Sequence, residues 1–104
     1  RGDMFWVALD EHDRVIGSVG FHVHENREDV TLHRLFVKCS RKRQGIGTAL
    51  LDTAEQYVRA LGKKTIYIHL GIGQEWYESR AFYRKNGYWE YEPNQMKKLI
   101  SEDR

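Results

Sequence analysis

The sequence predicts a single α/β (α+β) domain with the element order β-β-β-α-β-α-β-β. Three observations predict it. Short runs of β-branched and aromatic residues flank one long stretch with apolar residues three and four apart. Glycines stand where that stretch should begin and end. A single proline and the lack of any Ser- or Pro-rich linker leave no boundary for a second domain, so residues 1–104 are expected to form one unit.

Phe5 to Leu9 reads as the first strand. Glu11-His12-Asp13-Arg14 is a polar turn, and Val15 to His24 is a second strand that returns as a hairpin. Gly17 and Gly20 within it mark bulges or close packing. Glu25 to Asp29 is a charged loop before the third strand, Val30 to Lys38. A helix follows, with Ile46, Ala49, Leu50, Ala54, Tyr57, Val58 and Leu61 on one apolar face. Gly62 sits at the helix C-terminal glycine position, and Lys63 and Lys64 lie near the negative end of the dipole. Thr65 to Leu70 is the fourth strand, reached by a right-handed crossover. Gly71-Ile72-Gly73 is a turn. Gln74 to Lys85 is a second helix, stopped at Asn86-Gly87, and Tyr88 to Tyr91 and Met96 to Ile100 are two closing strands around Pro93.

Composition narrows the function classes. With 40% hydrophobic and 31% charged residues, the chain is globular rather than disordered. No apolar run approaches the roughly 18 residues that span a bilayer, and no signal pattern opens the chain, so a cytoplasmic domain without membrane contact is expected. Lys38, Arg41, Lys42 and Arg43 cluster, but aromatics are not interleaved with them and the net charge is only +2, so no nucleic-acid partner is expected. The single cysteine, Cys39, rules out an internal disulfide and suits a reducing compartment.

The chemistry concentrates in Gln44-Gly45-Ile46-Gly47-Thr48, between a predicted strand and a predicted helix. Glycines let the backbone approach a phosphate closely, and the first-turn amides of a helix have no internal partner. Together with the helix dipole they make an anion site. Lys42 and Arg43 just before it add charge-assisted contacts. The plainer reading is a glycine turn with a solvated charged flank. Two other phosphate motifs fail on spacing: Tyr57 stands where a P-loop ending at Gly62-Lys63 needs a glycine, and Leu50 where a dinucleotide fingerprint needs its third.

The run Leu32-His33-Arg34-Leu35-Phe36-Val37, followed after six residues by Gln44-Gly45-Ile46-Gly47-Thr48-Ala49-Leu50-Leu51, resembles the central motif of the GCN5-related N-acetyltransferase (GNAT) superfamily. Ser79-Arg80-Ala81-Phe82-Tyr83-Arg84-Lys85-Asn86-Gly87-Tyr88 is similar to that superfamily's second cofactor motif. The order and separation of the two motifs match. The resemblance implies a mixed, mostly antiparallel sheet with helices packed on it. It implies acetyl-CoA as cofactor, no metal, and transfer of the acetyl group to a primary amine by direct attack. The pantetheine arm would pair with the backbone of Phe36 and Val37. The pyrophosphate would sit on amides from Arg43 through Gln44, Gly45, Ile46 and Gly47 to Thr48. Tyr83 matches the tyrosine that protonates the departing thiolate, and His33 falls where many members place a glutamate base.

The sequence departs from the family pattern at Lys42, where Gln or Arg is preferred, at Arg43, where glycine is usual, and at Trp76, where an asparagine is expected. The strand and two helices that usually precede the hairpin are also missing, so an N-terminally truncated domain is expected. A non-catalytic CoA-binding module is the alternative, and a homodimer is compatible with either reading. Phe5-Trp6-Val7-Ala8 and Leu35-Phe36-Val37 are similar to the camello-type branch, whose members usually carry a hydrophobic membrane segment. His22 and His24 share a strand face as metal ligands would, but no further ligand pattern joins them. Tyr77, Trp89 and Tyr91 are candidates for an acceptor pocket.

Overall fold

The computed structural model describes residues 3–24, 27–41, 44–70 and 77–100. The elements are β1 (Asp3–Leu9), β2 (Val15–Val23), β3 (Asp29–Val37), a short 3-10 turn (Cys39–Arg41), α1 (Ile46–Ala60), β4 (Thr65–His69), α2 (Tyr77–Lys85), β5 (Trp89–Glu92) and β6 (Gln95–Leu99). The order is the one the sequence predicts. The start expected for the second helix, Gln74 to Trp76, lies outside the described residues. The strands form one six-stranded sheet in the order β1-β2-β3-β4-β6-β5. β3 and β4 are parallel, as the crossover through α1 requires, and the other pairings are antiparallel.

Alternation along the strands puts one face of the sheet under α1. Trp6 on β1 meets Phe21 on β2 and Tyr57 on α1 edge to face, with ring centroids 6.0 and 5.4 Å apart. Val19, Phe21, Val30, Leu32, Ile66, Ile68 and Met96 complete the sheet's share of the core. On α1 the buried stripe is Leu50, Leu51, Ala54, Glu55 and Val58. This corrects the predicted face. Ala49, Tyr57 and Leu61 are exposed, while Leu51 and a carboxylate, Glu55, turn inward. Ala49 and Leu51, about 200° apart round the helix, stand at opposite edges of the stripe centred near Leu50 and Ala54, so a roll of the helix that brings Leu51 in turns Ala49 out. The outer face of β1 carries Phe5, Val7 and Leu9, all exposed, alternating with Trp6 and Ala8.

The two glycines of β2 are packing glycines. A Cβ on Gly17 would lie 2.9 Å from the Phe36 carbonyl oxygen and 3.1 Å from Leu50 Cδ1. That lets α1 settle directly on the sheet. A Cβ on Gly20 would meet the ring of Phe5 instead.

Both helices end on a glycine with positive φ, Gly62 (85°) and Gly87 (96°). After α1, Lys63 N–H donates to the Val58 carbonyl (3.3 Å) and Gly62 N–H to that of Arg59 (3.0 Å), which is the Schellman pattern. The β1–β2 turn is held by Asp10, whose carboxylate accepts from the backbone of His12 (2.8 Å) and Arg14 (3.0 Å) and from the Arg14 side chain (3.0 Å). The Arg14 and His12 amides and the Arg14 cation hold its carboxyl below the usual range, against the opposing effect of burial. Among the described residues, no helix is long and apolar enough to cross a membrane.

Candidate active site

The site begins with an irregularity in β3. Phe21 on β2 faces Leu32, but Gly20 faces Arg34, so His33 is an extra, unpaired residue: a β-bulge. On the other side, β3 pairs with β4 only from Asp29↔Thr65 to Leu32↔Ile68. Beyond Leu32, β3 continues to Val37 with no described strand on that edge. Ser18 holds Phe36 and Gly17 holds Val37 from the β2 side. The bulge thus marks the point where two parallel strands part and, among the described residues, leave an open backbone edge over residues 33–37. An unpaired edge offers both donors and acceptors to an extended ligand.

That edge runs toward the first turn of α1. Gly45 is the N-cap, in the left-handed region (φ 80°, ψ 7°), with no side-chain cap. The first intrahelical bond is Ala49 N–H to the Gly45 carbonyl (3.0 Å). The amides of Ile46, Gly47 and Thr48 therefore precede the helical ladder, and no acidic residue occupies the first turn. A Cβ on Gly45 would meet nothing within 4 Å, so this glycine is required by its φ and borders open space. Gly47 differs: its Cβ would lie 3.2 Å from Phe82 Cζ and 3.5 Å from Val37 Cγ2. Phe82 of α2 thus closes the junction where the first turn of α1 meets the end of β3. Sequence reasoning gave Gly47 to a phosphate alone and missed Phe82. The signal was the short spacing between Phe82 and Tyr83 within one motif.

Of the predicted cofactor residues, Phe36, Val37, Gln44, Gly45, Ile46, Gly47 and Thr48 come together along this edge and turn. Lys42 and Arg43 lie outside the described residues, as do Trp76 and the side chains of His33 and Tyr77. Beside the turn opens a groove of about 440 Å³, lined among others by Gly45, Thr48, Asp52, Glu55, Asn86 and Lys98.

Tyr83 is the buried member of the Phe82–Tyr83 pair, 5% exposed. Its ring packs edge to face on Phe82 (5.4 Å) and Tyr88 (5.7 Å). Burial pushes its phenol up to about 12. Among the described residues its hydroxyl has no hydrogen-bond partner. Arg80, one turn earlier, pins α2 to the β5–β6 hairpin by donating to Glu90 (3.1 Å) and Asn94 (2.8 Å).

The histidine pair on β2 is a local contact: His22 and His24 rings stand 4.7 Å apart, and His24 Nε2 is 3.0 Å from Thr31 Oγ1. Among the described residues, no cluster of three metal-ligating side chains occurs. Trp89 and Tyr91 do share a surface, with Tyr67: the Lys97 ammonium lies 5.9, 4.9 and 5.9 Å from their respective ring centres.

The fold agrees with comparisons to known proteins. Residues 1–90 match the acetyltransferase (GNAT) domain family. Human N-acetyltransferase 8 is 34% identical over 94 residues, covering 85% of this chain and 39% of that protein. The chain therefore spans about two fifths of that relative's length. A GNAT-family acetyltransferase from Staphylococcus aureus Mu50 superimposes with a TM-score of 0.84 at 21% identity, over 96% of this chain and 69% of that one. The PaiA N-acetyltransferase of Thermoplasma acidophilum, solved with coenzyme A, does so with a TM-score of 0.81 at 22% identity, over 94% and 61%. With the split sheet, the uncapped glycine turn and a family match over most of its length, the chain belongs to the GNAT acetyltransferase family.

Proposed function

We propose that the chain transfers the acetyl group of acetyl-CoA to a primary amine by direct attack. The observation that carries this reading is the open β3 edge over residues 33–37, which leads into an uncapped, acid-free helix N-terminus at Gly45. An extended chain ending in a pyrophosphate needs that pairing edge followed by that anion site. Phe36 and Val37 would hold the arm, and the turn from Arg43 to Thr48 the phosphates. When bound, the cofactor supplies an acyl carbon already activated as a thioester.

The protein's part is positioning and proton handling. The amine must lose a proton as the new C–N bond forms, and the sulfur leaves with the electron pair of the breaking C–S bond as a thiolate, which takes its proton from water afterwards. His33, at the bulge, is the candidate base, because an unperturbed imidazole titrates near neutrality. Tyr83 is the candidate donor to sulfur. A phenol at about 12 stays protonated throughout the working range. It is also a weaker acid than a thiol, at about 8.5, so full proton transfer to the thiolate runs uphill. Its contribution is therefore a hydrogen bond to sulfur that strengthens as charge develops.

The test is calorimetric titration with CoA, followed by turnover of acetyl-CoA with n-butylamine, spermidine and a lysine-containing peptide. Binding and turnover are expected in the parent. Tyr83→Phe should bind CoA equally well and lose at least about tenfold in kcat. Absence of CoA binding refutes the cofactor site. Binding without turnover leaves a CoA-binding module. Full activity in Tyr83→Phe removes that residue from the chemistry.

A further inference from the structure

Acetyl transfer as proposed assigns no part to Glu55, a carboxylate in the middle of α1 that is only 4% exposed. A buried charge is costly unless it is paired and hydrogen-bonded, and apolar residues of similar volume usually fill such a site at least as well. Here both oxygens are engaged. Oε2 accepts from Tyr88 Oη at 2.8 Å, and Oε1 from Lys98 Nζ at 2.9 Å. Lys98 Nζ also donates to the Asn86 carbonyl at 3.0 Å and lies 5.5 Å from the centre of the Tyr88 ring. Three elements meet at this one carboxylate: α1, β6 and the residues that end α2.

The far end of the same cluster is Tyr83. Its carbonyl accepts from the amides of Asn86 and Tyr88, each at 3.0 Å, while Gly87 N–H donates to the Arg84 carbonyl at 3.1 Å. With Gly87 at φ 96°, this is a Schellman stop, in which the residue after the glycine packs on a residue of the last helical turn. Those two residues are Tyr88 and Tyr83, with ring centroids 5.7 Å apart at 63°. Tyr88 therefore holds Tyr83 through both backbone and ring, and Glu55 holds Tyr88. The helix that supplies Glu55 is also the one whose first turn forms the anion site.

We propose that Glu55, Tyr88 and Lys98 are positioning residues that fix the Tyr83 hydroxyl relative to α1, and so relative to a cofactor bound at its first turn. This rests on the reading of Tyr83 as the donor to sulfur. Tyr88→Phe is the test variant, because it keeps the ring against Tyr83 and deletes only the link to Glu55. In the 104-residue chain, with acetyl-CoA and the most active amine of the panel above, kcat should fall by about tenfold while CoA affinity stays within about twofold. In the Tyr83→Phe background the same change should cost nothing further, because no hydroxyl remains to be positioned. Full kcat in Tyr88→Phe, losses that multiply in the double variant, or a loss confined to CoA affinity would each overturn the relay while leaving Tyr83 in place. A Tyr83→Phe variant with full activity would instead refute the donor reading, and the relay with it. If Tyr88→Phe does not fold well enough to assay, Glu55→Gln replaces it under the same criteria.

Discussion

Gly17→Ala adds one methyl group where the glycine lets α1 pack closely on the sheet. The new Cβ would lie 2.9 Å from the Phe36 carbonyl oxygen, 3.1 Å from Leu50 Cδ1 and 3.3 Å from Ile46 Cγ2, against ordinary contacts of 3.4–4 Å. None of these neighbours has a cheap way out. The carbonyl belongs to β3, which is held in register by Ser18 and Val37↔Gly17; Leu50 is buried and Ile46 is packed on the core. Overpacking of this kind costs about 1–3 kcal/mol. Replacing glycine in a strand returns about 0.5–1 kcal/mol, which leaves a net loss of about 1–2 kcal/mol. For a domain of this size that lowers Tm by about 5–10 °C.

Gly20→Ala is the control, and distance alone ranks the two wrongly. Its Cβ would lie only 2.5 Å from Phe5 Cε1, but Phe5 is 64% exposed and its ring can rotate into solvent. Gly20→Ala should therefore melt within a few degrees of the parent. Thermal unfolding followed by circular dichroism measures both, and CoA titration adds the functional arm. Gly17→Ala should also weaken CoA binding, since the displaced carbonyl belongs to the proposed pantetheine edge. The reasoning is refuted if Gly17→Ala melts at or above the parent, or if Gly20→Ala is the more damaging of the two.

Gly45→Ala meets no atom within 4 Å yet must hold φ 80°, so it should cost about 1–2 kcal/mol and reduce CoA affinity, whereas Gly45→Asn, which tolerates that conformation, should lose less; calorimetry ranks them. Gly47→Ala pushes on Phe82, so Phe82→Ala in the same chain should relieve part of its effect on CoA affinity, and strictly additive losses would argue against the contact. Burial pushes the Tyr83 phenol up to about 12 from the usual 10, so its ionisation lowers folding stability only as the pH rises above 10, by about 3 kcal/mol once both states are ionised; alkaline unfolding should be measurably flatter in Tyr83→Phe, with Tyr88 supplying the remaining slope. Glu90 is held below its usual range first by the Asn94 amide and then by Arg80, so its support of the β5–β6 turn is present at neutral pH and lost as the pH falls below the usual carboxylate range, which amide exchange at Asn94 should report as reduced protection.

Much of this protein was written locally in the chain. Val15 to Val23 is a strand because of its β-branched and aromatic residues, and α1 ends at Gly62 because only glycine takes φ 85° without strain. Gly45 could be placed at the head of a helix because the apolar spacing begins immediately after it. The two motifs that identify the family are likewise continuous segments, so their order and separation could be read directly. The tertiary structure decided everything that joins residues distant in sequence. The roll of α1 on the sheet turned Glu55 and Leu51 inward and Ala49 outward, a choice that depends on where Gly17 lets the helix settle. Glu55 looked like any surface glutamate until Tyr88 and Lys98, 33 and 43 residues later, arrived beside it. The parting of β3 from β4 after Leu32 has no local signature either, because a bulge is defined by its partner strand and His33 carries no mark of lacking one. Periodicity records which face of an element is apolar. It does not record what that face meets, and the open edge, the closed junction at Phe82 and the buried carboxylate all arise from those meetings.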